Sequence, residues 1–159
     1  MKQNYHPKID YLNSLKNQLE WVKRQLEYLT YASSNYTNLV LKRGEVYEFD
    51  YGVNVNSEFS HRHFGVVLHD SNEENPLVLI CPLKSNRYGA HPSSDVDLGF
   101  IANLNSGNKT LAVVNQIRAL DKMRLYTKSV ISSTGAYEGL MLSDQQMRQI
   151  ISKLMEIIK

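Results

Sequence analysis

One cysteine in 159 residues excludes an intrachain disulfide, and with it the small stapled scaffolds of secreted proteins. Cys81 lies in the apolar run 77–83 and reads as a small buried hydrophobe, in keeping with a reducing cytoplasm. Long apolar runs are missing too. None approaches the roughly 18 residues of a membrane span, and the polar start, residues 1–7, lacks the apolar centre of a signal peptide. The expectation is a cytoplasmic protein that neither enters nor crosses a membrane. Charge of one sign is also scarce: the net charge is +2, from five basic and three acidic residues in 1–40, six and nine in 41–110, and seven and four in 111–159. The middle is net acidic, so coating nucleic acid by bulk charge is excluded and a polyanion would need a focused site.

What is present suits one domain with an appended helix. Leu12, Leu15, Leu19, Val22, Leu26 and Leu29 recur at spacings of three and four, which predicts an amphipathic helix over residues 8–31. The pattern fits a coiled-coil pair or a helix laid on its own domain. The expected role is assembly or partner docking, the alternative a cover over the active cleft. Residues 32–38 are small and polar and read as a linker, so 1–38 forms an N-terminal helix and linker and 39–159 the main domain.

From Leu41 the period changes to that of short strands, expected at 46–51, 64–69, 77–83, 96–101, 111–120 and 130–132, with a hairpin turn at 103–109. Short antiparallel strands at this spacing favour a small barrel or sandwich. Ser143 followed by Gln146 is a capping-box signature, and Met147, Ile150, Ile151, Leu154, Ile157 and Ile158 give the closing helix its apolar face. Met147 and Met155 read as core or interface packing residues.

Chemistry concentrates in a few places. Residues 115–125 put Gln116, Arg118, Asp121, Lys122 and Arg124 on a segment that follows the buried-strand run 111–114. The bland reading pairs Arg118 with Asp121 to brace a turn; Gln116 is not covered by it. Arg62 and His63 lead directly into a strand, and Lys84, Ser85, Asn86 and Arg87 end another, each a place where phosphate can be held. His61, His69 and His91 read as exposed and unrelated. His61, His63 and Cys81 make no matched metal set. The polar loop 52–61, with Asn54, Asn56, Ser57 and Glu58, could meet base edges while Tyr51 or Phe59 offers a stacking face. Its bland reading is a mobile connection built of turns.

In order, the blocks Arg43-Gly44-Glu45-Val46-Tyr47, Ser57-Glu58, Gly65-Val66-Val67-Leu68, Pro82-Leu83-Lys84-Ser85 and Gln116-Ile117-Arg118-Ala119-Leu120-Asp121-Lys122-Met123-Arg124-Leu125 resemble the MazF/PemK family of toxin endoribonucleases over residues 41–159. The resemblance implies an α+β, mainly β fold, a small SH3-like barrel of five to six strands with a C-terminal helix, here with an added N-terminal heptad helix. It implies a homodimer that cleaves single-stranded RNA without metal or cofactor and is neutralised by an antitoxin protein. His63 stands at the position of the family's catalytic arginine, with Arg62 just upstream, Lys84 stands at that of its threonine, and Gln116 matches its glutamine.

Attack by a ribose 2′-OH needs a base, an acid for the leaving 5′-oxygen and a cation for the phosphate. Histidine serves as either of the first two, lysine and arginine as the cation. His63, Arg62, Lys84 and Gln116 are therefore the catalytic candidates, and Ser57, Glu58, Ser85 and Arg87 the RNA-binding ones. The alternative is a catalytically altered module of the same fold that acts through RNA or protein contacts.

Overall fold

The computed structural model describes residues 7–31, 39–101, 104, 107–126 and 139–159, and the chain divides into two compact units, Met1–Ser34 and Asn35–Lys159. The first holds helix α1 (Pro7–Tyr31). It opens on a proline, whose missing N–H is no loss in a first turn. The six stripe residues are exposed, from 38% at Leu15 to 74% at Leu29. On other faces Trp21 meets Tyr28 edge-on at 6.4 Å, and the Arg24 guanidinium lies 5.7 Å from the indole centroid. The expected linker at 32–38 and strand at 130–132 lie outside the described residues, as does part of the turn expected at 103–109.

The second unit is mainly β: β1 (Val46–Asp50), β2 (Arg62–Val67), β3 (Leu77–Ser85), β4 (Asp95–Asp97), β5 (Thr110–Val113) and β6 (Arg118–Asp121), closed by α2 (Asp144–Ile157). All pairings are antiparallel, in the order β1-β2-β3-β5-β4, with β6 also on β3. Side-chain alternation sorts the core by face. Val46, Val66, Leu68, Cys81, Leu83 and Ala112 pack with Met147 and Ile150 of α2. Tyr47, Phe49, Tyr51, Val67, Val78, Ile80 and Leu120 pack together in a second cluster. Gly65 belongs to that second face because a Cβ there would stand 2.6 Å from the Tyr51 hydroxyl and 3.2 Å from Ile80 Cδ1.

The strand expected at 111–120 is broken. Leu83 pairs with Ala112 and Ile80 with Arg118, so three steps along β3 face six along its partner. The surplus forms a 3-10 turn at Val114–Gln116 that buries Val114 and lifts Gln116 out of the ladder. The strand expected at 96–101 shortens to β4, because the chain turns at Gly99 (φ 76°) and returns as β5.

Among the described residues the sheet does not close into a barrel. After Asp121 the chain leaves β3 through a 3-10 turn, Lys122–Arg124, capped by the Asp121 carboxylate accepting from the Met123 N–H at 2.9 Å. It then touches the outer edge of β1 through a single bridge, Phe49 to Leu125, and a Tyr126 N–H to Glu48 C=O bond of 2.9 Å. Farther along that edge the segment before α2 bonds Val46 and Gly44 at 2.8 Å each. Gly44 takes φ 90° there, and a Cβ would sit 3.3 Å from Leu142 O. The capping box forms as the sequence predicts, and Gln146 Nε2 reaches Leu98 O at 2.8 Å, which ties the start of α2 to the end of β4. Met147 is buried in the core, whereas Met155 is 49% exposed.

Candidate active site

The loop between β1 and β2 is held by its own polar groups. Asn54 donates from Nδ2 to the carbonyls of Tyr51 (2.9 Å) and Phe59 (2.6 Å), while its N–H meets Ser60 Oγ at 3.1 Å. At the loop's base Tyr51 N–H bonds His61 O at 2.8 Å and His61 N–H bonds Gly52 O at 2.5 Å. Asn56 (φ 49°) and His61 (φ 63°) take left-handed conformations, which asparagine and histidine tolerate better than most residues.

Gln116, lifted by its 3-10 turn, joins that loop to the sheet. Its Nε2 donates to Ser57 O at 3.0 Å, and its Oε1 accepts from Phe59 N–H at 3.3 Å and from Arg118 Nη2 at 3.1 Å. A side-chain amide carries both the donor that the Ser57 carbonyl needs and the acceptor that the Phe59 N–H needs. Arg118, on β6, also approaches the Tyr51 ring, 5.8 Å from its centroid. The expected Arg118–Asp121 brace is therefore replaced by two separate contacts, Arg118 to Gln116 and Asp121 to its turn.

His63 and Arg62, consecutive on β2, point to opposite faces. His63 lies edge-on to Phe59 (centroids 5.0 Å apart) and Tyr51 (6.3 Å). Burial against these rings, and secondarily the neighbouring His61, hold His63 below the ordinary imidazole range, only partly offset by a backbone bond at Ser60. His63 is nonetheless solvent-exposed, and the shift favours its uncharged form, in which one ring nitrogen carries a lone pair. His61 is exposed, as expected, and its charge bears on His63. Arg62 instead lays its guanidinium over the Tyr126 ring at 3.7 Å, on the side of β1 that faces Leu125. Tyr51 is 1% exposed and cannot offer a free stacking face, which leaves half-buried Phe59 as the aromatic open to a base.

Lys84 follows Ile80 by alternation onto the face that carries His63. The β2–β3 register, Gly65 with Pro82, continued by two residues sets it level with His63. Its ammonium pairs with Asp95 at 2.7 Å, where the carboxylate is 1% exposed and the lysine 35%. Burial alone would raise the Asp95 carboxyl, but the His91 N–H (2.8 Å), Lys84 and Ser94 Oγ (3.1 Å) outweigh it and hold it below the usual range. The His91 backbone therefore serves this pair, although its ring reads as unrelated. Ser85 pairs with Thr110 at the end of β3, Arg87 is exposed beyond it, and the exposed Glu58 uses Oε2 on its own loop, at Val55 N–H (3.3 Å).

The fold thus gathers His63, Gln116, Arg118 and Phe59 around Tyr51, with Lys84 on the same face and Arg62 apart. Arg118 was legible only as a structural charge. The signal that identifies it is its period-two relation to Leu120, which fixes its face once β6 begins after the turn. Lys122, in the same block, is buried and donates to Asn72 O at 2.5 Å. Its ammonium titrates below the ordinary lysine range because of burial. Among the described residues no cluster of His, Cys, Asp and Glu could hold a metal ion, and no helix is long and apolar enough to cross a membrane.

A family model described as "PemK-like, MazF-like toxin of type II toxin-antitoxin system" matches residues 42–158. Among solved structures, MazF from Deinococcus radiodurans is 18% identical, with 76% of this chain and 97% of that one covered at a TM-score of 0.51. An endoribonuclease in complex with its cognate antitoxin from a mycobacterial species is 20% identical, covering 74% and 94% at 0.48. A MazE–MazF complex from Deinococcus radiodurans is 17% identical, covering 76% and 96%, also at 0.48. No curated protein matches.

Proposed function

The chain belongs to the PemK-like, MazF-like toxins of type II toxin–antitoxin systems, and from that premise we propose that it cleaves single-stranded RNA without a metal, in the cytoplasm, until a cognate antitoxin neutralises it. The observation that carries the reading is a histidine, His63, packed edge-on against Phe59 and Tyr51, with the Arg118 guanidinium on the same Tyr51 ring and bonded to the Gln116 amide. The open sheet, its first strand bridged to Leu125, is taken as this family's SH3-like barrel, and the working form as a homodimer.

In the proposed reaction His63 takes the proton of a ribose 2′-OH, and the 2′-oxygen attacks the adjacent phosphorus. The P–O5′ bond breaks, and the proton passes to the departing 5′-oxygen, leaving a 2′,3′-cyclic phosphate and a 5′-hydroxyl. Arg118 and Lys84 supply positive charge to the phosphate oxygens, and Arg62 meets RNA on the neighbouring surface. Gln116 acts as a positioning residue: it holds Ser57 and Phe59 so that the loop presents the Phe59 ring to a base. Ser57, Glu58, Ser85 and Arg87 extend the RNA track. Loss of cutting in His63→Ala, with folding retained, tests this assignment.

One observation favours a second reading. Lys84 is already paired with buried Asp95, which reduces its pull on phosphate and suits a protein that holds RNA without cutting it. RNA bound but intact after long incubation would select that reading.

A further inference from the structure

Helix α1 precedes the residues 42–158 that carry the family match, and the ribonuclease reading does not use it. Its stripe fills the a positions (Leu12, Leu19, Leu26) and d positions (Leu15, Val22, Leu29) of consecutive heptads without a polar interruption, and all six side chains are exposed. The flanks are polar: Lys16, Lys23 and Thr30 occupy e, and Gln18 and Gln25 follow Tyr11 at g. A helix laid on a globular core carries a wider apolar face that takes in e or g, whereas a seam confined to a and d suits a second helix.

Charge decides which second helix. Residues 7–31 hold four basic and three acidic side chains, and Glu20 and Glu27 stand one turn after Lys16 and Lys23. Of these charges only Lys16 and Lys23 flank the seam, at e, whereas Glu20 and Glu27 stand at b, outside it. In a parallel pair of identical helices Tyr11 and Gln18 of one face Lys16 and Lys23 of the other, so no like charges meet. An antiparallel pair sets e against e, lysine against lysine.

We infer that α1 pairs with α1 of a second copy of this chain as a parallel, in-register coiled coil. The inference does not depend on the ribonuclease reading. It places the two copies on a common two-fold axis and leaves the Trp21–Tyr28 side of each helix outside the seam.

Single-cysteine substitutions in the full-length protein test it. Native Cys81 does not compete, because it is buried and its thiol is pushed up to about 12. In the proposed pair Leu15 faces its counterpart Leu15 and Leu26 faces Leu26. Mild oxidation should therefore convert Leu15→Cys alone, and Leu26→Cys alone, into covalent dimers. Adding Leu19→Lys to Leu15→Cys should slow that conversion by about tenfold or more, because a charge enters the seam. Circular dichroism confirms that the helix is kept, and Val22→Cys replaces any variant that loses it. Dimers formed only on mixing the two variants would show an antiparallel pair and overturn the inference. So would the absence of cross-linking with the helix intact, which would mean that the stripe meets some other surface.

Discussion

Replacing Gln116 by alanine removes three hydrogen bonds at once, to Ser57 O, Phe59 N–H and the Arg118 guanidinium, at 3.0, 3.3 and 3.1 Å. Neutral bonds contribute ~0.5–1.5 kcal/mol each and bonds to charged groups more. The side chain is half-buried and one bond is long, so water recovers part of the loss and the net cost should be about 1–2 kcal/mol. For a domain of this size that lowers Tm by roughly 3–10 °C. The local effect is sharper: Phe59 N–H loses its acceptor, and its amide should exchange about tenfold faster if the loop loosens by ~1.4 kcal/mol. Asn54 continues to hold Tyr51 and Phe59 carbonyls, so the loop's base should stay protected. Gln116→Glu separates the bonds. It keeps an acceptor for Phe59 and Arg118 but sets an oxygen against Ser57 O, so Phe59 protection should survive it. Hydrogen exchange followed at Phe59, with thermal unfolding of both variants, reads each expectation. An unchanged Phe59 rate and unchanged Tm in Gln116→Ala would refute the role given to this amide.

Four other outcomes follow from the same geometry. The His63 folded-state pKa lies below its unfolded value, so its protonation should depress cleavage, and reduce stability, only as pH falls below about 6.5; His61→Asn, which keeps a residue tolerant of φ 63° and removes a like charge, should move the acid limb of the pH–rate profile upward. Tyr51 Oη is buried without a hydrogen-bond partner among the described residues, so Tyr51→Phe should leave Tm unchanged or raised. Gly65→Ala should be destabilising in the native background but milder beside Tyr51→Phe, since the hydroxyl 2.6 Å from the new Cβ is then gone; a double-mutant cycle by denaturant unfolding measures the coupling. Lys84→Met should cost about 1–3 kcal/mol by leaving the buried Asp95 carboxylate without its cation. The Asp95 contribution is present above pH ~4 and lost as pH falls through its depressed pKa, so acid titration of stability should lose that component in the variant.

Periodicity alone made the two helices legible: the 3-4 spacing of the N-terminal leucines and the Ser143–Gln146 box gave their limits almost to the residue. The apolar run 77–83 gave the burial of Cys81, and strand alternation the opposite directions of Arg62 and His63. The break after Val113 was not legible, because Leu111–Leu120 carries apolar residues throughout and a 3-10 turn has no composition signature of its own. With that break unseen, Gln116 read as a strand residue facing substrate, and Arg118 as half of a surface pair. The long-range bonds were hidden as well: Gln116 reaches residues 57 and 59 positions away in sequence, which no local pattern encodes. The Lys84–Asp95 pair was hidden for the same reason, since β5 lies between their strands in the sheet.

The most direct test is incubation of the full-length protein with a long unstructured RNA in excess chelator, followed by mapping of every cut and its end groups, beside His63→Ala of proven fold. The expected result is discrete cuts leaving 5′-hydroxyl and 2′,3′-cyclic phosphate ends, slowed about 100-fold or more in the variant. RNA left intact by folded native protein, or cut equally fast by His63→Ala, would contradict metal-free cleavage through His63.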